Sequence, residues 1–193
     1  MTLSGSGKIL YEHLNMKVNW KFLVAIVGSV FIYGRSSASA EPTAISWDQW
    51  RSLVGEWQAA GKGSPGEGAG GFSFAFDLQN KVLVRKSHTD YPPAEGRPAF
   101  SHDDLMVVYA DEAAHTFRAD YFDNEGHVIR YTASFTPDGR TLTFVSDPAP
   151  SQPSFRLTYV KNPDDTLGIK FEIAPPSTPD KFKMYVEGSA HKR

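Results

Sequence analysis

Histidines and carboxylates are the side chains of this chain with the widest chemical range, and their spacing decides what they can do. The chain has six histidines, and beyond His13 they are His88, His102, His115, His127 and His191. None pairs as H-x-H, H-x-x-H or H-E-x-x-H, the spacings that put two ligands on one face of a strand or helix, so no metal site is expected. The carboxylates of "HDDL" (102–105) and "DYFDNE" (120–125) would suit acid–base work if burial displaced one of them beside a partner. Asp103-Asp104 opens a strand and Asp123–Glu125 builds a turn, so solvated turn chemistry accounts for both. No Gly-x-Ser-x-Gly elbow and no cysteine occurs, and the serines show no nucleophile setting. "GKGSPGEGAGG" (61–71) lacks the residue order of a phosphate loop and opens no helix; a flexible loop or long hairpin is the expectation. No catalytic residue is predicted.

Aromatic residues carry the stronger signal. An apolar pocket with a few oriented polar groups is the common form of a small-molecule site. Phe74, Phe76, Tyr109, Tyr121, Tyr131 and Phe171 fall in strand patterns and are the candidate lining. His127 joins them because it shares parity with Ile129, Tyr131 and Phe135, which aims it inward near a mouth. Arg130 and Arg156 fall opposite the more apolar sets and read as outer-face cations; one pointing inward would anchor a ligand carboxylate. An enzyme would instead require an inward cluster of His, Asp or Arg with displaced pKa values. A filled interior would indicate a structural or interaction module.

The elements that must position these residues are nearly all strands. "SWDQWRSLVGEW" begins with Ser46 as an N-cap and spaces Trp47, Trp50 and Leu53-Val54 for one or two helical turns, stopped at Gly55. Thereafter the apolar period is two, through "GGFSFAFDL", "KVLVRKSHTDY", "DDLMVVYAD", "HTFRADYFD", "HVIRYTASF" and four further segments. With the Trp57 segment, this predicts about ten strands. Short turns such as Pro137-Asp138-Gly139 make consecutive strands pair antiparallel. The longer proline-rich connections 91–101, 147–154 and 174–180 are expected to cover one open end. The fold class is therefore all-β: an antiparallel up-and-down meander barrel with a short N-terminal helix, its edges removed by closure. Ten strands enclose more room than eight, which favours a cavity; a flattened two-sheet sandwich is the alternative.

Composition limits the partners. The 193 residues are 40% hydrophobic and 13% aromatic, enough for one cored domain. "MKVNWKFLVAIVGSVFIYGRSSASA" (16–40) has the basic start, short apolar run and Ala-Ser-Ala end of a secretory signal. The expected organisation is thus a superfluous extension over 1–15, a signal peptide over 16–40 and a barrel over 41–193. Export, in a bacterium to the periplasm, follows, with no stable membrane insertion once the signal is cleaved; an uncleaved anchor is the alternative. From Glu41 onward 16 basic residues face 21 acidic ones, since Lys8, Lys17, Lys21, Arg35 and Glu12 lie upstream, a net charge of −5. A mildly acidic surface with no basic block argues against nucleic acid as a partner.

With a helical turn, Gly55-x-Trp57 on the first strand and a strand meander behind it, the chain resembles the calycin superfamily. In lipocalins the tryptophan of this motif packs across the closed barrel bottom and a basic residue near the barrel's end covers it. The resemblance implies structural closure by Gly55 and Trp57, with Arg193 as the cover and Lys192 beside it. In "LVGEW", "KFEIAPP" and "KMYVEGSAHKR" the chain is also similar to a bacterial family of secreted lipocalin-like domains of unassigned function, over roughly residues 46 to 193. The first strand further resembles the Gly-x-Trp-x-Gly-x-Gly of nitrobindin-type barrels, with Gly55, Trp57 and Gly61 present and Ala59 in the middle position. That likeness implies haem held by a late histidine, here His191; otherwise no cofactor is expected. Together these readings imply a barrel that binds or carries a small hydrophobic or amphipathic molecule, the alternatives being an enzyme acting inside the barrel or a ligand-free module.

Overall fold

The computed structural model of the protein describes residues 45–193; the extension, the signal segment and the first residues after it lie outside the described residues. A short 3₁₀ helix, Gln49–Leu53, precedes ten strands. These are β1 (Gly55–Gly63), β2 (Gly66–Asp77), β3 (Val82–Tyr91), β4 (Phe100–Asp111), β5 (Thr116–Asp123), β6 (Val128–Phe135), β7 (Thr141–Ser146), β8 (Ser154–Lys161), β9 (Leu167–Ala174) and β10 (Lys183–Lys192). Each strand pairs antiparallel with the next, and β1 pairs with β10, so the meander closes into a barrel. The "GKGSPGEGAGG" stretch is the long hairpin of the two expectations: β1 and β2 run on to Gly63 and Gly66 with Ser64-Pro65 between them. Ser46 does not cap the helix directly. Asp48 holds the cap position, and the Ser46 hydroxyl accepts from the Asp48 N–H at 3.1 Å.

One end is shut by aromatic packing. Trp50 is fully buried and meets Phe117, Phe135 and Phe144 with ring centroids 5.0–5.9 Å apart, while Trp47 lies against Phe76 and Phe117. These residues come from the 3₁₀ helix, from Trp47 just before it, and from the parts of β2, β5, β6 and β7 that face it, so the N-terminal segment is a plug whose apolar side completes the core. Trp57 is buried just above and donates its indole N–H to the Leu53 carbonyl at 2.8 Å, which ties the plug to β1. Gly55 makes the corner between them with φ +125°, a conformation costly for any residue with a Cβ. Lys192 covers the Trp57 ring, its Nζ 5.4 Å from the centroid. Arg193, expected in that role, instead bonds the Glu56 carbonyl through its backbone N–H and the Gln58 side chain through its guanidinium. The reason is register: Lys192 is paired with Trp57 across β1 and β10, so the two share a face.

The connections after β1, β3, β5, β7 and β9 all gather at the opposite end, among them 92–99, 147–153 and 175–182. The three proline-rich connections therefore surround the open end, as their composition leads one to expect.

Candidate functional site

Above the aromatic plug the barrel interior is not filled. A cavity of about 620 Å³ runs from the middle of the barrel to the open end, within the usual size range for a small-molecule site. Its walls differ in chemistry because the strands deliver different residues at inward parity. On one side β8 and β9 place Phe155, Leu157, Ile169, Phe171 and Ile173. On the other, β3, β4 and β5 place Arg85, His102, Asp104, Tyr121 and Asp123. Between them, across β10, β1 and β2, Gly188, Gly61 and Gly68 lie side by side in register and line the cavity with main chain. A Cβ on Gly61 would approach the Glu187 carbonyl oxygen to 2.8 Å, so this close approach requires glycine. Over Gly68 lies the ring of Tyr91, itself stacked on Phe100 at 4.7 Å, with Arg97 over the Phe100 face at 4.6 Å. These three residues make an aromatic and cationic lip.

The polar wall is a connected chain. Deepest is Arg85, which donates Nη1–H to Asp104, with both side chains almost wholly enclosed; its guanidinium also lies 5.3 Å from the Phe72 ring centroid. Next, His102 stands 3.9 Å from Asp104 through Nε2, which also meets the Tyr121 hydroxyl at 3.0 Å, while Nδ1 meets Glu125 at 3.1 Å. The Tyr121 hydroxyl donates to Asp123 at 3.3 Å, and Asp123 takes His127 Nδ1 at 2.8 Å. Asp123 also accepts the backbone N–H groups of Glu125 and His127, so the carboxylate that builds the turn belongs to the cavity wall as well.

The electrostatics fix these groups in their resting states. Burial alone would drive the Arg85 guanidinium toward neutrality, but the Asp104 carboxylate, aided by Tyr159 and Tyr121, outweighs it and holds the group above its ordinary range. Burial and then the Asp104 charge push the phenols of Tyr121 and Tyr131 far up. Tyr159 is pushed up to about 12 by burial, against the lowering influence of Arg85. The cluster thus meets the condition of displaced groups at inward positions, but every one of these displacements moves away from neutrality. Such groups are a charged donor and neutral donors, not proton shuttles.

Of the candidate lining residues, Tyr121, His127, Tyr131 and Phe171 border the cavity. Phe74 and Phe76 point inward too, but into the packed lower core: Phe74 is 5.8 Å from Tyr159, and Phe76 meets Trp47. Tyr109 has the other parity; its neighbours Met106 and Val108 are fully buried, which turns Tyr109 to the outer face. Arg130 and Arg156 are outer-face cations, the latter held bidentate by Glu172 at 2.7 Å. His191 follows the buried Ala190 and is exposed on the outside opposite Gln58, so it cannot reach a group held in the cavity; haem through His191 does not fit this barrel.

The residues that reasoning from sequence missed are Arg85 and Asp104. Asp104 is no solvated turn carboxylate: parity sends Asp103 outward to His88 at 2.7 Å and its neighbour inward to Arg85.

Neither a protein-family model nor a curated protein matches the chain. Among solved structures it is similar to Rv2717c from M. tuberculosis, with a TM-score of 0.56 and 12% identity over 76% of this chain and 96% of that one. A de novo designed fluorescence-activating β-barrel aligns with a TM-score of 0.36 and 9% identity, over 74% of this chain and 95% of its own. At 12% identity the likeness to Rv2717c concerns the fold alone, a β-barrel.

Proposed function

We propose that the protein is an exported, lipocalin-like barrel that binds a small amphipathic molecule in its interior. The observation that carries this reading is the division of one open cavity of about 620 Å³ into an apolar wall on β8 and β9 and a hydrogen-bonding wall on β3 to β5. An apolar body would gain burial on the first wall while a polar group is oriented by the second. Catalysis is the weaker reading because the displaced groups are locked away from neutral pH. Export rests on the Lys17–Ala40 pattern of the sequence.

Uptake of the neutral fluorophore N-phenyl-1-naphthylamine tests the cavity. The wild-type protein takes it up, and Ile169→Trp, which fills the interior from β9, abolishes uptake while leaving the far-ultraviolet circular dichroism unchanged. Equal uptake by both proteins, or none by the wild type, overturns the reading. Native mass spectrometry of protein taken from its own compartment then identifies the molecule it carries.

A further inference from the structure

At the open end stands a cation without a counter-ion. Asp104 takes Arg85, Asp123 takes His127 and Glu125 takes His102, so each carboxylate bordering the cavity has its own partner. Arg97 borders the same cavity, and its guanidinium forms no ion pair and no hydrogen bond among the described residues; Glu95 of the same turn is exposed and stands apart from it. The Nε of Arg97 is enclosed, so a ligand meets the unbonded Nη groups, which are not.

The position is built in advance. Arg97 and Ala94 exchange backbone hydrogen bonds of 2.9 and 3.0 Å around Glu95-Gly96, with Gly96 at φ +72°, and Pro92, Pro93 and Pro98 stiffen the connection. The side chain crosses the Phe100 face toward Gly66 of β2, where a Cβ would stand 3.0 Å from Nη2. A second device turns Tyr185 to the same mouth. The β9–β10 register shifts between Met184 and Val186, and a bulge re-aims the residue within it. Tyr185 and Val186 therefore both border the cavity, and the Tyr185 ring meets Phe171 of the apolar wall at 6.0 Å.

Charge selects the head group. The Tyr91 phenol, raised chiefly by burial and then by Tyr185, feels both the Arg97 cation and the Glu125 carboxylate, the cation more strongly. An anion is therefore favoured there, but a second negative charge would meet Glu125 with no further cation to balance it. Resting on the cavity reading above, we propose that Arg97, with the hydroxyls of Tyr91 and Tyr185, forms a head-group subsite for the carboxylate of an amphipathic ligand whose apolar chain runs past Phe171 onto β8 and β9.

Displacement of N-phenyl-1-naphthylamine by decanoate, 1-decanol, decylammonium and decyl phosphate tests this in the wild type and in Arg97→Met, which keeps an apolar stem against Phe100 and removes the charge. Decanoate is expected to bind more tightly than decylammonium or decyl phosphate. Its affinity relative to 1-decanol is expected to drop about tenfold in Arg97→Met, the size of a hydrogen bond to a charged group. Tyr91→Phe and Tyr185→Phe are expected to lower the same ratio by smaller factors, and added salt to weaken decanoate more in the wild type than in Arg97→Met. A lip that merely packs would lose both ligands together and leave the ratio in place, which overturns the subsite. Tighter binding of decylammonium overturns the sign of the head group, and tighter binding of decyl phosphate overturns the carboxylate. Uptake of the fluorophore with displacement by none of the four overturns the subsite and leaves the cavity reading intact. Failure of the fluorophore itself to bind removes the cavity reading, and this inference with it.

Discussion

Arg85 on β3 and Asp104 on β4 form an ion pair inside the barrel, with side chains only 9% and 6% exposed. Two charges removed from water in this way are costly singly and tolerable only together. The pair therefore constrains what can be changed at the floor of the cavity more tightly than any apolar residue there.

Arg85→Met is expected to destabilise the protein by about 3–5 kcal/mol, because it leaves the Asp104 carboxylate enclosed without a counter-charge. The double variant Arg85→Met/Asp104→Leu is expected to recover most of that loss. Urea unfolding of the single and double variants gives the coupling directly. Additive losses would mean that the two charges do not depend on one another.

Lys192 and Arg193 follow one another but do different work at the closed end. Removing the cation from the Trp57 ring in Lys192→Ala is expected to cost about 0.5–1 kcal/mol. Arg193→Ala keeps the backbone bond to the Glu56 carbonyl and loses only an exposed side-chain contact, so its loss is expected to be smaller. Thermal unfolding of the two variants side by side checks the order, and indole fluorescence reports on Trp57 itself.

Asp123 predicts a response to acid. Burial would raise its pKa, but the backbone and ring hydrogen bonds from His127, with the Glu125 N–H, outweigh burial and hold it below its ordinary value. A carboxyl depressed in the folded state contributes stability at pH above its unfolded value, about 3.9, and that contribution disappears as pH falls through the lower folded value. Wild-type stability is therefore expected to fall below about pH 4 more steeply than that of Asp123→Asn, by chemical unfolding at each pH. Parallel acid limbs would show that the carboxylate contributes nothing.

Gly61→Ala places a Cβ 2.8 Å from a backbone oxygen that cannot rotate away. The strands must separate, and a loss of about 1–3 kcal/mol is expected, read by urea unfolding. Faster amide hydrogen exchange in β1 and β10 than in β5 and β6 would locate the damage.

The barrel was legible in the sequence because period two, short turns and the Gly55-x-Trp57 pattern agree with one another. Turn and strand signals are local, and closure follows from having too many strands to leave two edges bare. The site was only partly legible, for a different reason. In β4 both parities are apolar, Leu105, Val107 and Tyr109 against Met106 and Val108, so alternation could not tell Tyr109 outside from Asp104 inside. In β3, Val82 and Val84 compete with Leu83 in the same way and conceal Arg85. The inward parity of His127 and Tyr131, which border the cavity, was legible because Ile129 and Phe135 alternate with Arg130 and Ser134 without a tie.

The glycines facing one another across β10, β1 and β2 bear on how such a barrel diversifies. A wall made of peptide groups has no side chains to exchange, and almost any replacement there narrows the chamber or splits the strands. Change in the shape of the chamber is therefore left to the side chains of β8 and β9, and to the lip formed by Tyr91, Arg97 and Phe100. That stretch of the chamber is, in effect, closed to tinkering, and variation in its shape would be written on the remainder.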